Sequence, residues 1–487
     1  MDRENGWLTV QPGGQVAAAM EPAEASAEWS TRKYLFVFAV VGVPALAVLL
    51  LGFLLGQIPV AGILAGLPFA LLILWRPEIG VYLITLYIPF EVYGVVGSEA
   101  ATLTKILGIY TAIVLMIHLI GRRRVELRTP VFWVALLFTT WSVLTIVWSS
   151  DAFMAWRAAL TRIQMVGLMF VVIAACATRE RAITLLWMMF LAAVMAAIAA
   201  RFLSPRVEYA WEVERSTIGA AGANQHAKDL LPGIFLVPFL VSQTRRWGRV
   251  LIVLAGLYVL ADLILTVSRS VYVAVFVALI VAVMSYRRVS AGRRFLLSAG
   301  VVAALVMFFM LGVITGLWGE GTARRFGQVW QHGTLLLGGR EVLWGEAIKM
   351  GMAHPLTGVG VGNYVIEMLQ RVAVTQAERA VHNDFLTHFA ETGFPGLVMY
   401  LTFLGMVFWE IRRVRIALLH AGLMGLLAAA VVASMANPSY SVKGFWLQMT
   451  ACAIAGAFFS YEVLEKTTDA GRVGAALGTA AQTRMEG

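Results

Sequence analysis

The sequence is short of charge. Asp, Glu, Lys and Arg make up 14% of its 487 residues, where a soluble domain carries about 25%, so an extensively hydrated fold is excluded. Its two cysteines, Cys176 and Cys452, both lie inside apolar runs. That argues against a disulfide framework or a thiolate metal site and leaves them as small core residues. Asp-x-Asp, His-Glu-x-x-His, Walker and Gly-x-Ser-x-Gly patterns are missing, so the chemistries that depend on them are not indicated. The acids Glu99, Asp151, Glu208, Glu212, Glu214 and Glu320 do not fall at metal-ligand spacing. Gly358-Val-Gly-Val-Gly362 follows no strand, which removes a dinucleotide loop and leaves flexible loop glycine as the expectation. No early apolar core marks a cleavable signal peptide, since the first thirty or so residues are polar and rich in Ala, Gly and Glu.

What is there in abundance is apolar sequence, 60% of the chain, in runs near the ~20 residues that cross a hydrocarbon core. The short alternating segments of a membrane β-barrel are not seen. The expected fold is an all-α polytopic membrane protein. Helices are expected near 34–56, 59–75, 79–97, 103–120, 130–148, 157–177, 182–202, 228–243, 250–267, 270–286, 295–317, 395–411, 416–435 and 443–461. That is fourteen transmembrane helices, or twelve if 34–75 and 250–286 are each undivided; either even number puts both termini on one side. The net charge of +10 sits largely in Arg clusters between helices, at Arg32-Lys33, Arg122 to Arg124, Arg179 and Arg181, Arg245 to Arg249, Arg287 to Arg294 and Arg412 to Arg415. This is a topology signal rather than a nucleic-acid footprint, and it makes that face cytoplasmic. The expected organisation is a cytoplasmic tail (1–33), a helical bundle (34–317), a large outer loop (318–394), C-terminal spans (395–463) and a second cytoplasmic tail (464–487). In a bacterium the outer face is the periplasm.

The 318–394 interval is too long for a simple connection. It contains an amphipathic stretch from Glu341 to Met352, expected to lie on the bilayer. It ends in His382-Asn-Asp-Phe-Leu386 and Glu391-Thr-Gly-Phe-Pro-Gly396. Phe385, Leu386, Phe389 and Ala390 share one helical face, Gly393 ends that helix, and Pro395 suits the first turn of the next. His382 can accept a proton near neutral pH or serve as a capping side chain, and position alone does not choose between the two. Asn383 and Asp384 are equally good helix N-caps. On an unbroken helix Glu391 points away from His382, so no His–Glu pair is expected.

Several cations run against the topology rule on the outer face: Arg269, Arg340, Arg157, Arg162 and Lys105. Arginine offers a forked donor set suited to phosphate oxygens, though each could instead snorkel to lipid headgroups. Asp262, seven residues before Arg269, shares roughly its helical face and could orient it or pair with a neighbouring helix. A transporter would use Asp262, Glu91 and Arg269 as a permeation path, but the charges gather on one face and no inverted repeat is visible.

The motifs resemble those of the O-antigen ligase and O-antigen polymerase superfamily. The resemblance rests on His382-Asn-Asp-Phe-Leu386 with Glu391-x-Gly393-x-Pro-Gly396, Arg340-x3-Trp344, His354-Pro-Leu-x-Gly358-x-Gly360-x-Gly-Asn363, Thr266-x-Ser-Arg269 and Gly222-x-Asn224. Ser270 stands where a Gly is usual. Order and spacing together carry the resemblance over about the last 270 residues; the first 200 match in helical texture alone. It implies a GT-C-like glycosyltransferase of the bacterial inner membrane with a periplasmic active site. Its donor would be a glycan on undecaprenyl pyrophosphate, its acceptor the lipid A–core oligosaccharide, and it would need no metal or other cofactor. His382 would be the base and Arg269, Arg340, Arg162, Arg157, Lys105 and Asn383 would bind pyrophosphate or glycan, with inversion at the anomeric carbon. O-antigen polymerases and protein O-oligosaccharyltransferases share the motif and the donor and differ in acceptor.

Overall fold

The computed structural model describes residues 29–55, 57–93, 102–122, 129–202, 207–209, 213–215, 217, 222–314, 330–331, 334–335, 340–371 and 381–460. Residues 1–28 of the expected N-terminal tail, the whole of the expected C-terminal tail, and Arg123 and Arg124 lie outside them.

The first half of the bundle is α1 (Thr31–Leu54), α2 (Ile58–Trp75), α3 (Glu78–Tyr87), α4 (Leu103–Arg122), α5 (Val131–Leu144), α6 (Ala152–Ala175) and α7 (Arg179–Phe202). Pro89 ends α3 early, because it cannot donate to the helical ladder, and a 3₁₀ turn, Ile88–Tyr93, follows. The single helix expected at 228–243 is three short ones, α8 (Ala223–Asp229), α9 (Pro232–Phe235) and α10 (Val237–Ser242). Pro232 and Pro238 account for the breaks. The chain continues through α11 (Arg246–Leu265), α12 (Arg269–Ser285) and α13 (Ala291–Ile314). The outer interval contributes α14 (Arg340–Ala353) and α15 (Tyr364–Arg371), the second of which the apolar pattern did not indicate. The last three are α16 (Asp384–Arg413), α17 (Ala417–Ser434) and α18 (Lys443–Phe458). The described strands form two minimal hairpins, Val207–Tyr209 with Val213–Arg215 and Trp330–Gln331 with Thr334–Leu335.

Among the described residues, eight helices are long and apolar enough to cross a membrane, and Val60–Trp75 and Arg269–Ser285 are apolar but shorter. The chain is an all-α, multi-pass membrane protein. Burial sorts inner helices from outer ones: 67% of the apolar stretch of α7 and 72% of α17 is buried, against 6% for Thr31–Leu49 of α1. Alanines explain the central place of α7: Ala193, Ala196 and Ala197 are wholly buried, and small side chains let helix backbones approach. The outer helices present Leu, Ile and Phe outward, as at Phe36, Ile63 and Ile117.

α16 carries the feature that shapes the site. Gly393 inside it has φ 67°, ψ −170°, so the helix is two helices joined at a kink. The break falls where Gly393 and Pro395 placed it.

Candidate active site

The loop 354–363 wraps the kink of α16. The amide of Val359 donates to the carbonyl of Ala390 and that of Gly360 to the carbonyl of Glu391, both at 2.9 Å, while Phe394 donates to Pro355 at 2.7 Å. Gly358, Gly360 and Gly362 all have positive φ. A Cβ on Gly358 would overlap the Glu391 backbone, and one on Gly393 would stand 2.7 Å from the Pro355 carbonyl. These glycines are not loose loop, as their spacing suggested; they are where two backbones meet too closely for a side chain. Asn363 finishes the wrap: its Oδ1 accepts the Asp151 amide at 2.7 Å and its Nδ2 donates to the Asp151 carbonyl at 3.2 Å, at the start of α6.

His382 precedes α16 with φ 55°. Histidine, with Asn and Asp, is among the few non-glycine residues at home in this left-handed region. Its neighbours fix it. The Val381 carbonyl accepts the indole N–H of Trp344 at 3.0 Å, and Asn383 caps the helix, accepting the Leu386 amide at 3.2 Å. Asn383 therefore fills the capping role that its sequence position allowed. Asp384 is fully buried and accepts the amides of Ser439 at 3.0 Å and Tyr440 at 3.1 Å.

The second motif reaches the same place from the other side. Val267 has φ 49°, a true outlier for a β-branched residue, and such strain persists where the surroundings over-determine it. The Ser268 hydroxyl donates to Asn224 Oδ1 at 2.8 Å, Asn224 Nδ2 donates to Asn437 Oδ1 at 3.0 Å, and Asn437 Nδ2 donates to the Ser270 hydroxyl at 2.7 Å. Residues 437–440 thus bind the start of α12 through Asn437 and the start of α16 through Asp384. Lys228 reinforces this segment, donating to the Pro438 carbonyl at 2.8 Å and the Ser439 hydroxyl at 3.3 Å.

Arg269 and Arg340 are half-buried at the first residues of α12 and α14. Burial, and then the neighbouring charge of Arg269, hold Arg340 below the usual arginine pKa. Glu341, next along α14, draws the other way. Trp344, one turn along α14 from Arg340, holds Val381 beside His382.

The remaining expected site residues stand elsewhere. Arg162 is 1% exposed; its guanidinium binds Ser142, pairs with Glu391 at 3.2 Å and lies near His388 Nδ1 at 3.5 Å. It also lies over the rings of Phe138 and Tyr440, so its two terminal nitrogens face internal partners. Arg157 is exposed, over Phe153. Lys105 lines a cavity of about 340 Å³ with Glu91 and Lys443. Asp262 pairs with His226 at 2.7 Å, taking the neighbouring-helix alternative. Sequence reading left out Asn437 and the acceptor role of Asp384. A polar Asn-Pro-Ser-Tyr-Ser run, 437–441, between two apolar helices was the available signal. Among the described residues, no three His, Cys, Asp or Glu side chains are placed to share a metal ion.

Comparison with known proteins bears on one part of the chain. Residues 251–401 match the family model described as O-antigen ligase, an interval that holds Arg269, Arg340 and His382 and leaves out Lys105, Arg157 and Arg162. No curated protein matches the chain. The resemblance drawn from the motifs is borne out over that interval: residues 251–401 of this multi-pass membrane protein are similar to the O-antigen ligase family.

Proposed function

We propose that the protein moves a glycan from undecaprenyl pyrophosphate to the lipid A–core oligosaccharide, at the periplasmic face of a bacterial inner membrane. The observation that carries this reading is the convergence of the His382 and Arg269 motifs on residues 437–440, with Arg340 within electrostatic reach of Arg269. His382 takes the proton of the acceptor hydroxyl as its oxygen bonds to the anomeric carbon of the donor. The bond from that carbon to pyrophosphate breaks, and the electron pair leaves with the phosphate. Arg269 and Arg340 offset the charge that grows there. The leaving group is already good, so the step demands no metal ion. One displacement inverts the anomeric centre, and the reading needs no covalent nucleophile.

The test uses purified protein, lipid-linked glycan and lipid A–core. His382→Asn is the variant of choice, because asparagine also tolerates the left-handed backbone and loses only the base. Ligated product from the wild type, and a loss of roughly 10²–10⁴-fold in His382→Asn, is the expected result. Wild-type turnover by His382→Asn removes the base assignment. A product that is only a longer lipid-linked glycan identifies a polymerase instead, and transfer to Ser or Thr a protein transferase.

A further inference from the structure

The cavity of about 340 Å³ beside the 437–443 segment lies within the ~300–1,000 Å³ range of small-molecule sites. It is lined by Glu91, Lys105, Gln164, Gln225, Asp229 and Lys443, two carboxylates against two ammonium groups. Lys443 is committed to Glu91 and to the Thr104 hydroxyl at 2.6 Å. Gln225 donates to Asp229 at 3.0 Å. A balanced set of this kind gives no net pull on a phosphate. It offers instead alternating donors and acceptors, the two Gln amides among them, extended by the hydroxyls of Thr161 and Ser441. Ile88, Pro89, Met165 and Val442 supply an apolar part of the wall. Many hydroxyl partners beside a patch for C–H groups is the complement of a neutral sugar ring.

Two of the segments that line the cavity also belong to the candidate active site. Gln225 follows Asn224, which holds Ser268 beside Arg269. Ser441 follows Tyr440, whose amide is bound by Asp384 two residues from His382. We infer that this cavity is a sugar-binding subsite for a neutral glycan residue adjacent to the bond being made. The inference rests on the proposed transferase reading and deepens it.

Gln164 is exposed on α6, so it can be changed without disturbing the core. Gln164→Leu should raise the KM for one glycan substrate by roughly tenfold, the size of one lost hydrogen bond, with kcat kept. Gln164→Trp should block the subsite. Separate KM measurements for donor and acceptor tell which glycan occupies it. A binding arm needs no turnover: saturation-transfer NMR with the glycan freed from its lipid by mild acid, and with core oligosaccharide freed from lipid A in the same way. His382→Asn should bind one of these glycans as the wild type does, and Gln164→Trp should not. That pattern supports the subsite even if no acceptor is ever glycosylated, which would sink only the transferase reading. Unchanged KM values and unchanged glycan binding in Gln164→Trp, or no binding of either glycan by the wild type, overturn the subsite.

Discussion

Arg162 and Glu391, 229 residues apart in sequence, form an ion pair of 3.2 Å with both side chains buried. The pair joins α6 to the segment of α16 just before its kink, and the loop 354–363 hydrogen-bonds the Glu391 carbonyl from the other side. Removing one partner strands a charge in a dry interior, at a cost of roughly 3–5 kcal/mol. Arg162→Met should therefore lower the thermal midpoint in detergent sharply, and so should Glu391→Met. The double variant should recover most of the loss, because two apolar side chains replace the whole pair. A thermal double-mutant cycle with no coupling would show that the pair does not hold the kink.

The close approach at Gly358 makes a second test. Alanine there must adopt a left-handed φ and also overlap the Glu391 backbone. Substitution at positive φ alone costs more than about 1 kcal/mol, and the overlap adds to it. Gly358→Ala should yield less folded protein and a lower midpoint than Gly345→Ala, where a Cβ meets nothing within 4 Å. Equal midpoints for the two variants would contradict the close packing of loop on kink.

The helices were legible because apolar runs near twenty residues leave little else to form, and the kink was legible because Gly393 and Pro395 bracket it. The prolines at 89, 232 and 238 break helices that hydrophobicity alone joins. His382, Arg269 and Arg340 could be marked from motif and position. The partners of Asp384, Glu391 and Asn437 could not, because each lies on another helix or loop and a pairing across 55 or 229 residues leaves no local pattern. The loop glycines looked flexible for the same reason: what crowds them is distant in sequence, Glu391 at Gly358, Ser149 at Gly360 and Ala158 at Gly362.

Asn437 makes two side-chain hydrogen bonds, to Asn224 and to Ser270, which set the start of α12 relative to the segment that holds Asp384. Asn437→Ala cuts that link and leaves the apolar packing around it in place. Turnover should fall roughly ten- to a hundredfold, as expected when reacting groups shift by an ångström or less, while the thermal midpoint stays near that of the wild type. A variant with unchanged kcat would mean that the two motifs keep their register without Asn437.

Burial, and then the charge of Arg269, hold Arg340 below the usual arginine pKa, which places the two cations within electrostatic reach of each other. Inorganic pyrophosphate that binds the folded state alone should raise the wild-type midpoint, by the equivalent of about 2.7 kcal/mol at a hundred times its Kd, and added salt should weaken the effect. Arg269→Gln and Arg340→Gln should each lose most of that gain, and His382→Asn should keep it, because the base contributes no binding charge when neutral. The measurement is a thermal shift series in detergent, with sulfate at matched ionic strength as the control. A pyrophosphate gain that survives in both Arg variants would take the leaving-group site away from these two residues, whatever the turnover assays show.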